Sequence, residues 1–159
     1  MVTVRIVAVG KIKEKFTKDE ISEYLKRLSK YCKPSIVEVE EEKAFDNSPS
    51  DIERILKKEG ENLLKQIKPN DYVVLLDLHG EEIDSIKFSH MVEKIQTQGF
   101  STIDFVIGGS NGLSDEVRKR SNFKLKLSSL TFTHQMTRVI ILEQVYRAFK
   151  ILNNEVYHK

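Results

Sequence analysis

The chain of 159 residues predicts an α/β domain, a mainly parallel sheet flanked by helices. Two observations carry that expectation. Apolar runs at VTVRIVAV (2–9), SIVEV (35–39), YVVLLDL (72–78) and IDFVI (103–107) read as strands, and three of them are continuous enough for burial on both faces. Helical stretches separate the runs, and strand alternating with helix is the pattern of a parallel sheet with crossover helices. The length suits one domain over 1–159, large enough to bury a core.

Each element follows in order. After the first strand, a helical stretch covers about 18–31 and SIVEV returns as the second strand. NSPSD (47–51) reads as a turn rather than a linker, with Asp51 the N-cap of a helix over 51–67 that Pro69-Asn70 stops. YVVLLDL is the third strand, and the helix after it, 86–97, stops at Gly99. IDFVI leads into FVIGGSNGL (105–113), which holds three of the seven glycines, and a helix starts at Ser114-Asp115-Glu116. FKLKL (123–127) alternates as a fifth strand. A long helix over about 134–152 follows it. No repeat or low-complexity tract interrupts this order. In parallel sheets ligands lie beyond the carboxyl ends of the strands, and three stretches end there: Leu76–Gly80, Gly108–Gly112 and Ser128–Thr133.

The glycine loop is open to two readings. It fits neither G-x-G-x-x-G nor G-x-x-x-x-G-K-[ST], and Asp115 and Glu116 place carboxylates where a phosphate would need a bare helix dipole. A neutral, zwitterionic or cationic ligand suits it better; a tight turn needing positive φ is the alternative. The net charge of +2 does not by itself suggest nucleic acid, but charge is segregated. Glu38, Glu40, Glu41, Glu42 and Asp46 form an acidic strip. Arg118, Lys119, Arg120, Lys124 and Lys126 form one basic group, and Lys11, Lys13, Lys15 and Lys18 another. Each group fits either a solvated face or RNA contact. Cys32, the lone cysteine, offers no disulfide and no thiol pair for a metal. Arg5 interrupts the apolar N-terminus, and no stretch approaches the roughly 20 residues of a membrane span. A cytoplasmic protein without membrane or metal is expected.

The last helix is apolar on most of its circumference, from Met136 to Leu152, with a polar strip through Arg138, Glu143, Gln144, Arg147 and Lys150. That pattern predicts packing on the sheet with one side and on a second copy with the other. Glu143 and Arg147, four apart, read as a surface ion pair or as functional groups.

IGGSNGL, SSLTFTHQMTRVIILEQVYRAFKI and the terminal YHK together resemble the RlmH family, SPOUT-class methyltransferases of large-subunit (23S) ribosomal RNA, and the likeness runs from VAVGKIKEK to the last residue. The resemblance implies a homodimer with a C-terminal trefoil knot that methylates N3 of a pseudouridine in the ribosome, with S-adenosyl-L-methionine as donor. Periodicity shows no knot, and chains rarely thread themselves. By the same resemblance the cofactor is held at Leu76, Gly108, Leu127, Ser128, Ser129, Leu130, Thr131 and Phe132. The tail folds over the active site, which makes His158 the base or a substrate positioner, Tyr157 a stacking or orienting group, Arg147 and Lys159 phosphate contacts, and Glu143 the group that orients Arg147. His134, at a helix start, is expected to be structural. Thr133 stands where the family commonly has proline, and threonine suits an N-cap. Two other classes share these features: a non-catalytic nucleotide-binding module and a ribosome-associated factor without methyltransferase activity.

Overall fold

A computed structural model describes residues 1–159. Five strands, β1 (Thr3–Val9), β2 (Lys33–Val39), β3 (Tyr72–Glu82), β4 (Thr102–Ile107) and β5 (Phe123–Lys126), alternate with five helices, α1 (Lys15–Leu28), α2 (Pro49–Lys65), α3 (Ser85–Thr97), α4 (Asp115–Arg120) and α5 (His134–Leu152). The strands form one sheet in the order β2-β1-β4-β3-β5, and every pairing is parallel. The expected α/β sandwich with a parallel sheet is therefore present.

Alternation along the strands divides the core in two. Val4, Ile6 and Ala8 of β1 with Ile103, Phe105 and Ile107 of β4 face a layer made by α1, α3 and α5, which contributes Ile21, Leu28, Phe88, Val92, Ile141, Val145 and Phe149. Val7, Val9, Val73, Leu75 and Val106 point the other way, onto Leu63 of α2 and Val117 of α4. The middle strands are buried on both faces, so their runs read as unbroken apolar stretches.

Local chemistry sets the helix ends. Ser48, not Asp51, caps α2: its Oγ accepts the Asp51 N–H at 3.2 Å, and Pro49 occupies the first turn. Asp51 lies one turn in and accepts the N–H groups of Phe45, Asp46 and Asn47, closing the preceding turn. Thr133 caps α5, its Oγ1 accepting the Met136 N–H at 3.2 Å, as expected of a threonine at that boundary.

Two expectations about α5 change. Arg138 does not belong to the polar strip. It is buried, with its Nη1 donating to Glu38 Oε2 at 2.6 Å and its Nη2 to Gly10 O at 2.9 Å and Val9 O at 3.3 Å, which ties α5 to the end of β1. Nor is half of the helix a free apolar face, because α1 and α3 flank it and consume most of the excess. Met136 is the one apolar side chain of α5 that stays largely exposed, close in sequence to exposed Leu130.

Candidate active site

The irregular part of β3 and the loops after β4 and β5 converge on one pocket of about 280 Å³. β3 supplies Leu76, Asp77, Leu78 and His79; the glycine loop supplies Gly108, Gly109, Ser110, Gly112 and Leu113; and the segment after β5 supplies Leu127, Ser128, Leu130, Thr131 and Phe132. His134 and Thr137 of α5 and Arg118 of α4 complete the wall. The three expected stretches thus meet, with one correction: Leu76–His79 lie within β3, at its bulge, because β3 resumes pairing with β5 at Glu81 and Glu82. Of the eight positions named for the cofactor, seven line this pocket. Ser129 does not: it is exposed between two lining residues and faces away.

The tight-turn reading of the glycine cluster holds at Gly112, and the loop's own packing accounts for Gly108. Gly112 has φ of +94° and closes a turn through its N–H to Gly109 O at 3.1 Å. Gly108 is buried, and a Cβ there would lie 2.6 Å from Gly112 O and 2.8 Å from Leu113 Cγ. Its missing side chain lets the loop fold onto itself before any ligand arrives.

The charges of the pocket are not the expected ones. Asp115 and Glu116 are exposed on α4 and do not line it. The carboxylate that does is Asp77, which accepts the His79 N–H at 2.9 Å and faces Arg118 Nε at 3.3 Å, while Arg118 Nη1 donates to Leu113 O at 2.9 Å. One carboxylate and one guanidinium beside apolar walls suit a zwitterion with an attached ring. Asp77 lay inside the stretch the topology singled out, whereas Arg118 was masked by its basic neighbours. Arg120 of the same cluster is spent on the carbonyls of Lys68 and Asp71. His134, expected to be structural, is exposed at the pocket wall and makes no hydrogen bond within the chain.

A second constellation lies further along α5. Ser85 Oγ donates to Gln144 Oε1 at 2.7 Å and Gln144 Nε2 donates to Glu143 Oε2 at 2.9 Å. Glu143 Oε1 accepts from Arg147 and, at 3.1 Å, from the Tyr157 hydroxyl. The Tyr157 ring lies beneath the Arg147 guanidinium, 4.8 Å from its centroid, and edge-on to Tyr146 at 5.0 Å. Burial, then the Glu143 carboxylate, pushes the Tyr157 hydroxyl up to about 12, so it remains a donor. Arg147 Nη1 meets His158 Nδ1 at 3.1 Å. A guanidinium only donates, so Nδ1 is the acceptor in this contact and Nε2 is left free of it. The expected Glu143–Arg147 pair is therefore present, and His158 joins it through Arg147. Lys159 is exposed and forms no ion pair.

Residues 2–158 match the family described as "Predicted SPOUT methyltransferase". The chain belongs to the SPOUT methyltransferase family. It is 56% identical over 157 residues to the Ribosomal RNA large subunit methyltransferase H of Clostridium botulinum (strain Kyoto / Type A2), a match covering 98% of this chain and 99% of that relative. It is 49% identical over the same length to the protein of that name from Carboxydothermus hydrogenoformans. A probable methylase family protein from Haemophilus influenzae Rd KW20 shares the fold, with a TM-score of 0.53 at 15% identity, covering 98% of this chain and 70% of that one.

In this SPOUT chain the pocket and the tail constellation are separate. No residue of the tail lines the pocket. Glu143 and Arg147 stand six and ten residues beyond Thr137, roughly 9 and 15 Å along the helix axis. Methyl transfer needs reacting atoms about 3–3.5 Å apart, closer than Glu143 and Arg147 stand to Thr137 along the helix.

Proposed function

We propose that this protein transfers a methyl group from S-adenosyl-L-methionine to N3 of a pseudouridine in large-subunit (23S) ribosomal RNA, acting in the cytoplasm as a homodimer with a knotted C-terminal segment. The observation that carries the reading is the pocket formed by β3 and the loops after β4 and β5 in a chain 56% identical, end to end, to a ribosomal RNA large subunit methyltransferase H. The pocket fits the cofactor in chemistry: Leu76, Leu127 and Phe132 offer apolar surface to an adenine, and the Asp77–Arg118 ion pair sets a polar wall for an amino-acid end. Bound there, S-adenosylmethionine supplies an electrophilic methyl on a positively charged sulfur.

The chain's own residues do the rest. As the new N–C bond forms, the imide nitrogen loses its proton. Arg147 and the Nε2–H of His158 stabilise the imide anion, so the proton leaves to water without a dedicated base. Tyr157 keeps Glu143 and Arg147 in register, and Lys159 contacts phosphate. Because the tail is remote from the pocket of its own chain, the tail of a second copy covers it. The exposed Leu130 at the pocket mouth and Met136 give that second copy an apolar landing.

Incubation with methyl-labelled S-adenosylmethionine and either assembled ribosomes or naked rRNA tests the reading. Label in large-subunit rRNA, mapped to a pseudouridine N3, is the expected result. Cofactor binding without label in any RNA would favour a non-catalytic module instead.

A further inference from the structure

We propose that Arg27, at the end of α1, is a phosphate clamp that grips the rRNA strand flanking the methylated nucleotide, with Lys30 beside it. This rests on the functional reading above and extends its RNA-contact surface to an element outside the pocket and the tail.

The chain has seven arginines, and six of them spend terminal guanidinium nitrogens on protein partners. Arg5 and Arg120 bond backbone carbonyls, Arg54 and Arg118 bond a carbonyl and a carboxylate, Arg138 is buried on the end of β1, and Arg147 holds Glu143 and His158. Arg27 alone keeps both Nη groups free. Its position is nevertheless fixed: Nε donates to Glu23 at 3.0 Å, and the guanidinium lies 5.5 Å from the Tyr24 ring centroid and 5.8 Å from that of Tyr146. A guanidinium held through Nε beside two aromatic rings leaves both Nη groups to solvent, and their parallel N–H donors are what a phosphate accepts bidentately.

The location gives the clamp its partner. Tyr146 also packs against Tyr157, so the Arg27 guanidinium is one ring removed from the tail. Tyr31 ties the same edge to the turn that precedes the tail, donating to Glu155 at 2.8 Å. Lys30 Nζ lies 5.3 Å from the Tyr31 centroid and 3.8 Å from Glu155 Oε2, with its side chain 71% exposed and free to turn to a phosphate. Wherever the tail meets its target nucleotide, this edge of α1 travels with it. The rings are engaged edge-on with one another and capped by cations, so charge, not aromatic surface, faces outward. That arrangement suits a phosphate backbone better than an unstacked base.

Steady-state methylation of ribosomes by Arg27→Ala, Arg27→Lys and Lys30→Glu tests the proposal, with wild-type turnover as the control for the underlying function. The expectation for Arg27→Ala is a KM for ribosomes raised roughly 5- to 50-fold with kcat within about twofold, and a plot of log(kcat/KM) against log[salt] shallower by roughly one phosphate contact. Arg27→Lys should recover part of the KM and most of the salt slope, since it keeps the charge and loses the fork. Cofactor affinity and sedimentation should be unchanged. Wild-type KM and salt slope in both Arg27→Ala and Lys30→Glu would overturn the clamp while leaving the methyltransferase reading intact. A shift to monomers in either variant would overturn it too, by making this edge a contact between copies.

Discussion

At the residue scale, His158 is where mechanism is decided. Its Nδ1 is occupied by Arg147 at 3.1 Å, which leaves Nε2 as the atom the proposed mechanism uses. Glutamine places an amide N–H near that atom, so His158→Gln is expected to retain kcat within about tenfold while His158→Ala loses roughly 10² or more; a true base would lose its 10²- to 10⁴-fold contribution in both variants. Tyr157 makes a complementary case. Burial and Glu143 hold its hydroxyl near 12, above the usual tyrosine value of about 10, so the hydrogen bond to Glu143 persists from neutral pH to beyond 10 and is lost only as pH approaches 12. A kcat–pH profile between 6 and 10 should therefore show no inflection that Tyr157→Phe removes. Cys32 is inert for a related reason. It is buried, and burial pushes its thiol up to about 12, so it should react with a disulfide reagent only after unfolding, as a thiol count in native buffer and in denaturant will show. The burial of Arg138 is illegible in the sequence because its partners, Glu38 and the carbonyls of Val9 and Gly10, lie about a hundred or more positions away. Helical periodicity alone puts it on the polar strip.

At the scale of elements, what can be read from sequence follows burial. β1, β3 and β4 announce themselves because both faces are covered. β2 begins at Lys33 and α1 at Lys15, earlier than periodicity suggests, since the opening residues are polar or proline and reveal themselves only through pairing or backbone hydrogen bonds. β3 continues through His79-Gly80-Glu81-Glu82 for the same reason: Glu81 and Glu82 pair with Leu125 and Lys126 past a bulge. The glycine loop was legible as a site, while the reason for Gly108 was not. Its absent Cβ relieves a contact within the loop, so Gly108→Ala should destabilise the fold by about 1–3 kcal/mol, lowering Tm by a few degrees in a thermal melt. Cofactor affinity, by calorimetry, should fall with it. The tail is the opposite case. Residues 157–159 belong to no helix or strand, and a chain ending at Val156 keeps Glu155 with its bonds to Tyr31 and Lys150. That truncated chain should melt within a few degrees of wild type and bind S-adenosylmethionine normally, yet methylate ribosomes at a small fraction of the wild-type rate.

At the scale of the whole molecule, the two halves of the chemistry sit on one helix but apart. The pocket faces the start of α5, and Glu143, Arg147 and the tail occupy its later turns. The roles of the tail were readable only through family resemblance, because its partners are set by how the chain folds back on α5 and not by spacing within the tail. If a second copy brings its tail to the first copy's pocket, the protein sediments as a dimer at micromolar concentration, and a dimer is the unit of catalysis. Mixing two defective variants tests this most directly. One is the chain ending at Val156, with an intact pocket and no tail. The other is Thr131→Trp, which fills the pocket from an exposed wall position and leaves the tail intact. Each alone should be nearly inactive on ribosomes. After co-refolding in equal amounts, mixed dimers hold one intact pocket facing one intact tail, and activity should return to roughly a quarter of wild type. A mixture no more active than its two components would contradict a site shared between copies and return the whole reaction to the single chain.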